Sequence, residues 1–131
     1  MKIALVQMDV AHGKPVENKK HVKEMLERAL SEKPDVIVLP EMWNTGYALD
    51  ELNGLADKEG LDSQELLSHF AREHAVAIIG GSVAIEKDGK FYNTTYVYNK
   101  SGDLINTYSK VHLFGLMAED QYMSAGSAES V

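Results

Sequence analysis

What most restricts the fold of this chain is a regular alternation of short apolar runs with amphipathic segments. Residues 2–8 form an apolar run rich in Ile, Leu and Val, which suits a buried strand. Gly13 and Pro15 then break the chain ahead of a segment in which Val22, Met25, Leu26, Ala29 and Leu30 recur at helical spacing. Lys20, Lys23, Glu24, Glu27 and Arg28 occupy the opposite face of that helix, and Pro34 fits its end. Residues 35–39 are a compact second strand with β-branched residues at its centre. Strand, helix and strand joined by short links imply a parallel pair with a right-handed crossover.

Pro40 stops the second strand, and residues 41–60 read as a loop region punctuated by Asn44, Gly46, Asn53 and Gly54. Asp62 and Glu65 have capping-box spacing, and Leu66, Leu67, Phe70 and Ala71 supply the apolar face of a second helix. A third buried run, residues 75–79, ends at Gly80-Gly81. From Ser82 the pattern becomes antiparallel: residues 83–86, a turn at Asp88-Gly89, residues 91–98, a turn at Ser101-Gly102, and residues 104–108. The expected fold class is therefore α/β, a βαβαβ unit running into a meander. No repeat, low-complexity segment or linker divides residues 1–131 into two domains.

Composition narrows the function. The chain has 131 residues and no cysteine, which excludes disulfide scaffolds, zinc ribbons, redox motifs and a cysteine nucleophile within these residues. Thirteen Lys and Arg against 20 Asp and Glu give a net charge of −7, and the basic residues are scattered, so no nucleic-acid footprint is expected. No apolar run approaches the roughly 20 residues of a membrane helix, and the amino-terminal run is interrupted too soon for a signal peptide. The chain reads as cytoplasmic and not membrane-bound. His69 and His74 are five positions apart and share no helix face, so they make no zinc-protease motif, and Gly80-Gly81 lacks the spacing of a phosphate loop.

Two places can carry chemistry. Glu41 lies just past a strand end, where ligands sit in parallel α/β sheets, and Trp43 and Tyr47 are placed to cover it with apolar surface and raise its pKa. Lys110, in Tyr108-Ser109-Lys110-Val111-His112-Leu113-Phe114, again falls where a strand gives way to loop. If Lys110 converges on Glu41, the pair offers a proton acceptor and a fixed positive charge, as acyl transfer requires.

The segments Leu39-Pro40-Glu41-Met42-Trp43, Tyr108 to Phe114 and the opening Lys2-Ile3-Ala4-Leu5-Val6-Gln7 together resemble the nitrilase, or carbon-nitrogen hydrolase, superfamily. Gly80-Gly81-Ser82, Tyr92-Asn93-Thr94 and Gly102-Asp103-Leu104 match in the same order. The resemblance implies a four-layer α-β-β-α sandwich, of which these residues are the amino-terminal part, and a full-length enzyme that is a homodimer. It also implies a Glu-Lys-Cys site in which Glu41 is the general base, Lys110 the lysine and Glu119 a second, orienting glutamate. Trp43 and Tyr47 are then expected to contact substrate. The mechanism, thiolate attack and thioester hydrolysis, needs no metal or organic cofactor. The loop from Glu41 to Tyr47 most resembles the ω-amidase branch, which acts on small amides such as 2-oxoglutaramate.

The nucleophile of that pattern has no counterpart here. Ser124, Ser127 and Ser130 sit in no motif like the family's nucleophile elbow. The intact Glu and Lys motifs favour part of a longer enzyme, inactive alone and with exposed apolar faces that limit its solubility. The alternative is a catalytically inactive α/β module that binds a small amide or a partner subunit.

Overall fold

The structure, a computed structural model, describes residues 1–127, so Ser130 lies outside the described residues. The strands are β1 (Ile3–Leu5), β2 (Val36–Val38), β3 (Asp57–Lys58), β4 (Ala77–Ile79), β5 (Val83–Lys87), β6 (Lys90–Tyr98) and β7 (Leu104–Ser109). The helices are α1 (Pro15–Leu30), α2 (Leu52–Leu55), α3 (Leu61–His74) and α4 (Glu119–Tyr122). All seven strands join one mixed sheet, parallel through β1, β2 and β4 and antiparallel through β5, β6 and β7.

Helices α1 and α3 cover one face of the sheet. Val22 and Leu26 from α1 and Leu67, Phe70 and Ala71 from α3 pack onto Ile37, Ile78, Tyr96 and Tyr98. Pro15 is the first residue of α1 rather than a breaker ahead of it, a position where its missing N–H costs nothing. The start of α3 departs from the capping box expected at Asp62. Helix α3 begins at Leu61, and its free N–H groups at Asp62 and Ser63 donate instead to Asp57, at 3.2 and 2.8 Å. A cap five residues upstream leaves no short-range pattern to read.

On the opposite face a smaller cluster, Met42, Leu49, Leu52, Ala84 and Met123, closes over β5 and β6. Across β1, β2 and β4 that face is open, with Leu5, Ile3 and Ile79 exposed. The described residues thus build one sheet layer and one helix layer of the four-layer arrangement.

Strands β4 and β5 follow one another along the same edge of β6. Between the pairs Ile79–Val97 and Val83–Thr94, the β4–β5 segment advances four residues while β6 advances three. This one-residue bulge at Gly80-Gly81-Ser82 reverses which side chains face the helices. The Asp88-Gly89 turn has positive φ at both residues, as a two-residue hairpin of this twist requires.

Candidate active site

The bulge fixes the loop that follows β2. Ser82 donates its N–H to Pro40 O at 3.1 Å, accepts the Trp43 N–H at 3.1 Å, and accepts the Met42 N–H on Oγ at 3.0 Å. Gly81 makes this approach possible. Its φ is +58°, and a Cβ there would lie 2.0 Å from Pro40 O. Met42 takes the left-handed conformation at φ 52°, unusual for a non-glycine residue and found here at a turn the neighbouring strand over-determines. The reversal sends Met42 and Trp43 into different apolar clusters and leaves Glu41 at the open edge. Asn44 completes the attachment, its side-chain amide pairing with both the N–H and C=O of Ala84, at 2.9 and 3.0 Å.

Lys110 follows β7 and continues its ladder, donating its backbone N–H to Asn93 O at 2.8 Å. Its ammonium lies 3.0 Å from Glu41 Oε1 and 2.9 Å from Glu119 Oε2, although Glu41 is 69 residues away in sequence. Glu119 opens α4 and is fully buried. Its Oε2 also accepts the Phe114 N–H at 2.8 Å, so the backbone of the 114–119 turn helps hold it. Asn93, on β6, donates from Nδ2 to Glu41 Oε1 and to Glu119 Oε1, both at 2.9 Å.

These groups form one charge network of two carboxylates and one ammonium. Burial pushes the Glu41 carboxyl up, but hydrogen bonds from Lys110, Asn93 and Tyr47, with the lysine's charge, outweigh it and hold the pKa below its ordinary value. Burial likewise raises Glu119, and Asn93, the Phe114 N–H and Lys110 overcome it, again lowering the pKa. For Lys110 burial acts downward, and the two glutamates more than compensate, raising it. The network is fully ionised at neutral pH. Lys110 can therefore serve as a fixed positive charge, and Glu41, ionised, can accept a proton.

Two sequence expectations need correction. Glu41 was expected to be raised by an apolar cover, whereas three donors around it lower it. Trp43 is a core residue rather than an apolar cover at the cleft. It is 1% exposed, lies in the main core and donates its indole N–H to Gly80 O at 2.9 Å. Tyr47 does lie beside Glu41. Burial first, then the adjacent carboxylate, pushes its hydroxyl up to about 12, so it stays a donor at any physiological pH.

Glu41, Asn93 and Lys110 line a cleft of about 500 Å³, together with Gly81, Ser82, Thr95, Tyr108 and His112. A larger cavity, about 810 Å³, includes Tyr92, Thr94, Tyr96 and Ser109 but none of the charge network. In the sequence Asn93 stands out only as part of the Tyr92-Asn93-Thr94 motif. Its parity on β6, opposite to buried Tyr96 and Tyr98, is the signal that places it on the same face as the Glu41 loop.

Residues 2–131 match the family model described as carbon-nitrogen hydrolase. The sequence is 46% identical over 127 residues to a 2-oxoglutaramate amidase of Bacillus subtilis (strain 168), covering 97% of this chain and 49% of that protein. An omega-amidase of Saccharomyces cerevisiae is 34% identical over 122 residues, 87% of this chain and 42% of its own length. The crystal structure of a branch 10 member of the nitrilase superfamily, also from Saccharomyces cerevisiae, matches with a TM-score of 0.83 at 29% identity, covering 97% of this chain and 49% of that one. The chain spans about half the length of the relatives it matches.

Proposed function

This chain belongs to the carbon-nitrogen hydrolase family, and from that premise we propose that it carries the glutamate and lysine of a Glu-Lys-Cys amidase acting on the ω-amide of a small α-keto acid. The observation that carries this reading is the convergence of Lys110 on Glu41 at 3.0 Å and on buried Glu119 at 2.9 Å, at the edge of an open cleft. The amide class is supported by the Bacillus subtilis relative at 46% identity.

In this mechanism the thiol comes from polypeptide outside these 131 residues, which contain no cysteine. Glu41 takes the thiol proton and the thiolate attacks the amide carbon. Lys110 stabilises the tetrahedral oxyanion with a charge already in place. Protonated Glu41 returns its proton to the leaving nitrogen, ammonia departs, and water then hydrolyses the thioester. Glu119 holds the lysine between the two carboxylates. The same reading makes the full-length enzyme cytoplasmic and homodimeric, which sizing by light scattering and cell fractionation would check.

The test is to express the full reading frame that encodes these residues and measure ammonia release from a panel of amides. The expected result is turnover of 2-oxoglutaramate that falls by a factor of about 100 or more in E41Q and in K110M. Activity on N-carbamoyl substrates instead would contradict the ω-amide class. No hydrolysis of any amide, nitrile or carbamoyl compound would favour the inactive binding module.

A further inference from the structure

Asn93 touches every member of the charge network, yet the reaction above gives it no part. Its side chain is nearly sealed from solvent, at 2% exposure. Both of its bonded partners are carboxylates, which only accept, so the amide NH2 must face them and both of its hydrogens are consumed. Its main-chain oxygen holds the third member, accepting the Lys110 N–H at 2.8 Å. One residue in the middle of β6 therefore fixes two carboxylates through its side chain and the lysine between them through its backbone. Across the ladder it faces Ala84, whose small side chain leaves room for the amide beneath the Glu41 loop.

We propose that Asn93 is a positioning residue that holds the Glu41 carboxylate in one rotation, with Oε1 engaged and Oε2 left to receive the proton. The proposal rests on the amidase reading of the same site. Glu41 Oε1 accepts from both Asn93 and Lys110, at 2.9 and 3.0 Å, which occupies its two lone pairs. Tyr47 also donates to this carboxylate, and with Oε1 filled that bond falls to Oε2, which keeps one lone pair for the proton leaving the nucleophile. Glu119 differs in exposure: Asn93 engages its Oε1, Lys110 and the Phe114 N–H engage its Oε2, and its side chain is fully buried, whereas that of Glu41 is 46% exposed at the cleft. One amide thus ties the glutamate at the cleft to a buried one that shares its lysine, and so fixes its orientation.

Asparagine is the side chain that fits. Aspartate at this position donates nothing and adds a third negative charge beside two others, whereas alanine leaves both Oε1 atoms short of a donor. The other titratable and charged groups around Glu41 are Lys110, Tyr47 and Glu119, which shares Lys110 and Asn93 with it, and His112 lines the same cleft.

The experiment uses the full reading frame and measures kcat and KM for 2-oxoglutaramate against pH in wild type, N93A, N93D and N93S. In parallel, the carbon-13 carboxyl signal of Glu41, assigned by its loss in E41Q, is titrated in each protein. For N93A the expected result is a kcat lower by a factor of about 10 or more with KM changed by less than about threefold, because ground-state binding does not use this amide. The acidic limb of the profile and the Glu41 titration both move to higher pH, further in N93D and less in N93S, whose hydroxyl keeps one donor. A purely structural role would lower activity equally at all pH values and leave limb and titration unmoved, and that result overturns the proposal. If wild type hydrolyses no amide, the amidase reading fails, while the Glu41 titration still decides the role of Asn93. Should N93A not fold, N93S supplies the same readouts.

Discussion

On one face of the sheet Val22, Leu26, Ile37 and Ile78 have no exposed surface, whereas on the other Leu5 is 75% and Ile3 50% exposed, though all belong to or pack on the same parallel strands. The closed face is finished by α1 and α3, each adjacent in sequence to the strands it covers. The other face is covered only over β5 and β6, where the loop after Pro40 and the segment around Glu119 fold across. The charge network lies at the border between covered and open surface. The difference teaches that the site is held by contacts distant in sequence, beside a sheet face whose apolar side chains are exposed in these residues.

The largest effect expected from breaking this comparison is at the bulge. Gly81→Ala introduces a Cβ 2.0 Å from Pro40 O at a positive φ, so it should cost about 4 kcal/mol or more and free the Glu41 loop. Urea denaturation would measure the loss, and unchanged stability would show that the loop is attached some other way. On the closed face, Leu26→Ala should cost about 2–5 kcal/mol by the same measurement, since Leu26 is fully buried against the sheet.

In the charge network, Lys110→Met removes the cation shared by Glu41 and buried Glu119. Both carboxyls should then titrate at higher pH, and stability should fall by about 1–3 kcal/mol. The pH dependence has a definite sign. Glu41 and Glu119 sit below their ordinary value of 4.5, so their contribution is present above that pH and is lost as pH falls through the lower folded values. Lys110 sits above its ordinary 10.5, so its contribution is complete below that pH and is lost as pH rises through the higher folded value. Between these limits the network should contribute a constant amount, which thermal melts across the range would reveal. The smallest effect belongs to the open face. Leu5→Ser should change stability by no more than about 0.5 kcal/mol, because Leu5 is already exposed, and should raise solubility.

The sequence made the closed face readable and the site only half readable, for physical reasons. Helix α1 shows a helical period because one stripe of it packs onto the sheet, and the β-branched strands announce themselves in the same way. The convergence of Glu41 and Lys110 could be expected because both lie where strands end. The neighbours of Glu41 could not. Trp43 reads as a cover for the carboxylate until the left-handed turn at Met42 rotates the chain and sends the indole into the core. The lowered pKa of Glu41 depends on Lys110 first and then on Asn93, 52 residues away, which a bulge helps place on the same face. Asn44 reads as a loop breaker, yet it bonds to Ala84 as a strand would. Interactions of that kind leave no local period.

The most direct test of the account is intact-mass measurement on the full reading frame's product, acid-quenched during turnover of 2-oxoglutaramate. A species heavier by the substrate's acyl group in wild type, and absent in E41Q, is the predicted result. Ammonia release that persists in E41Q with no acylated protein at any time would contradict it.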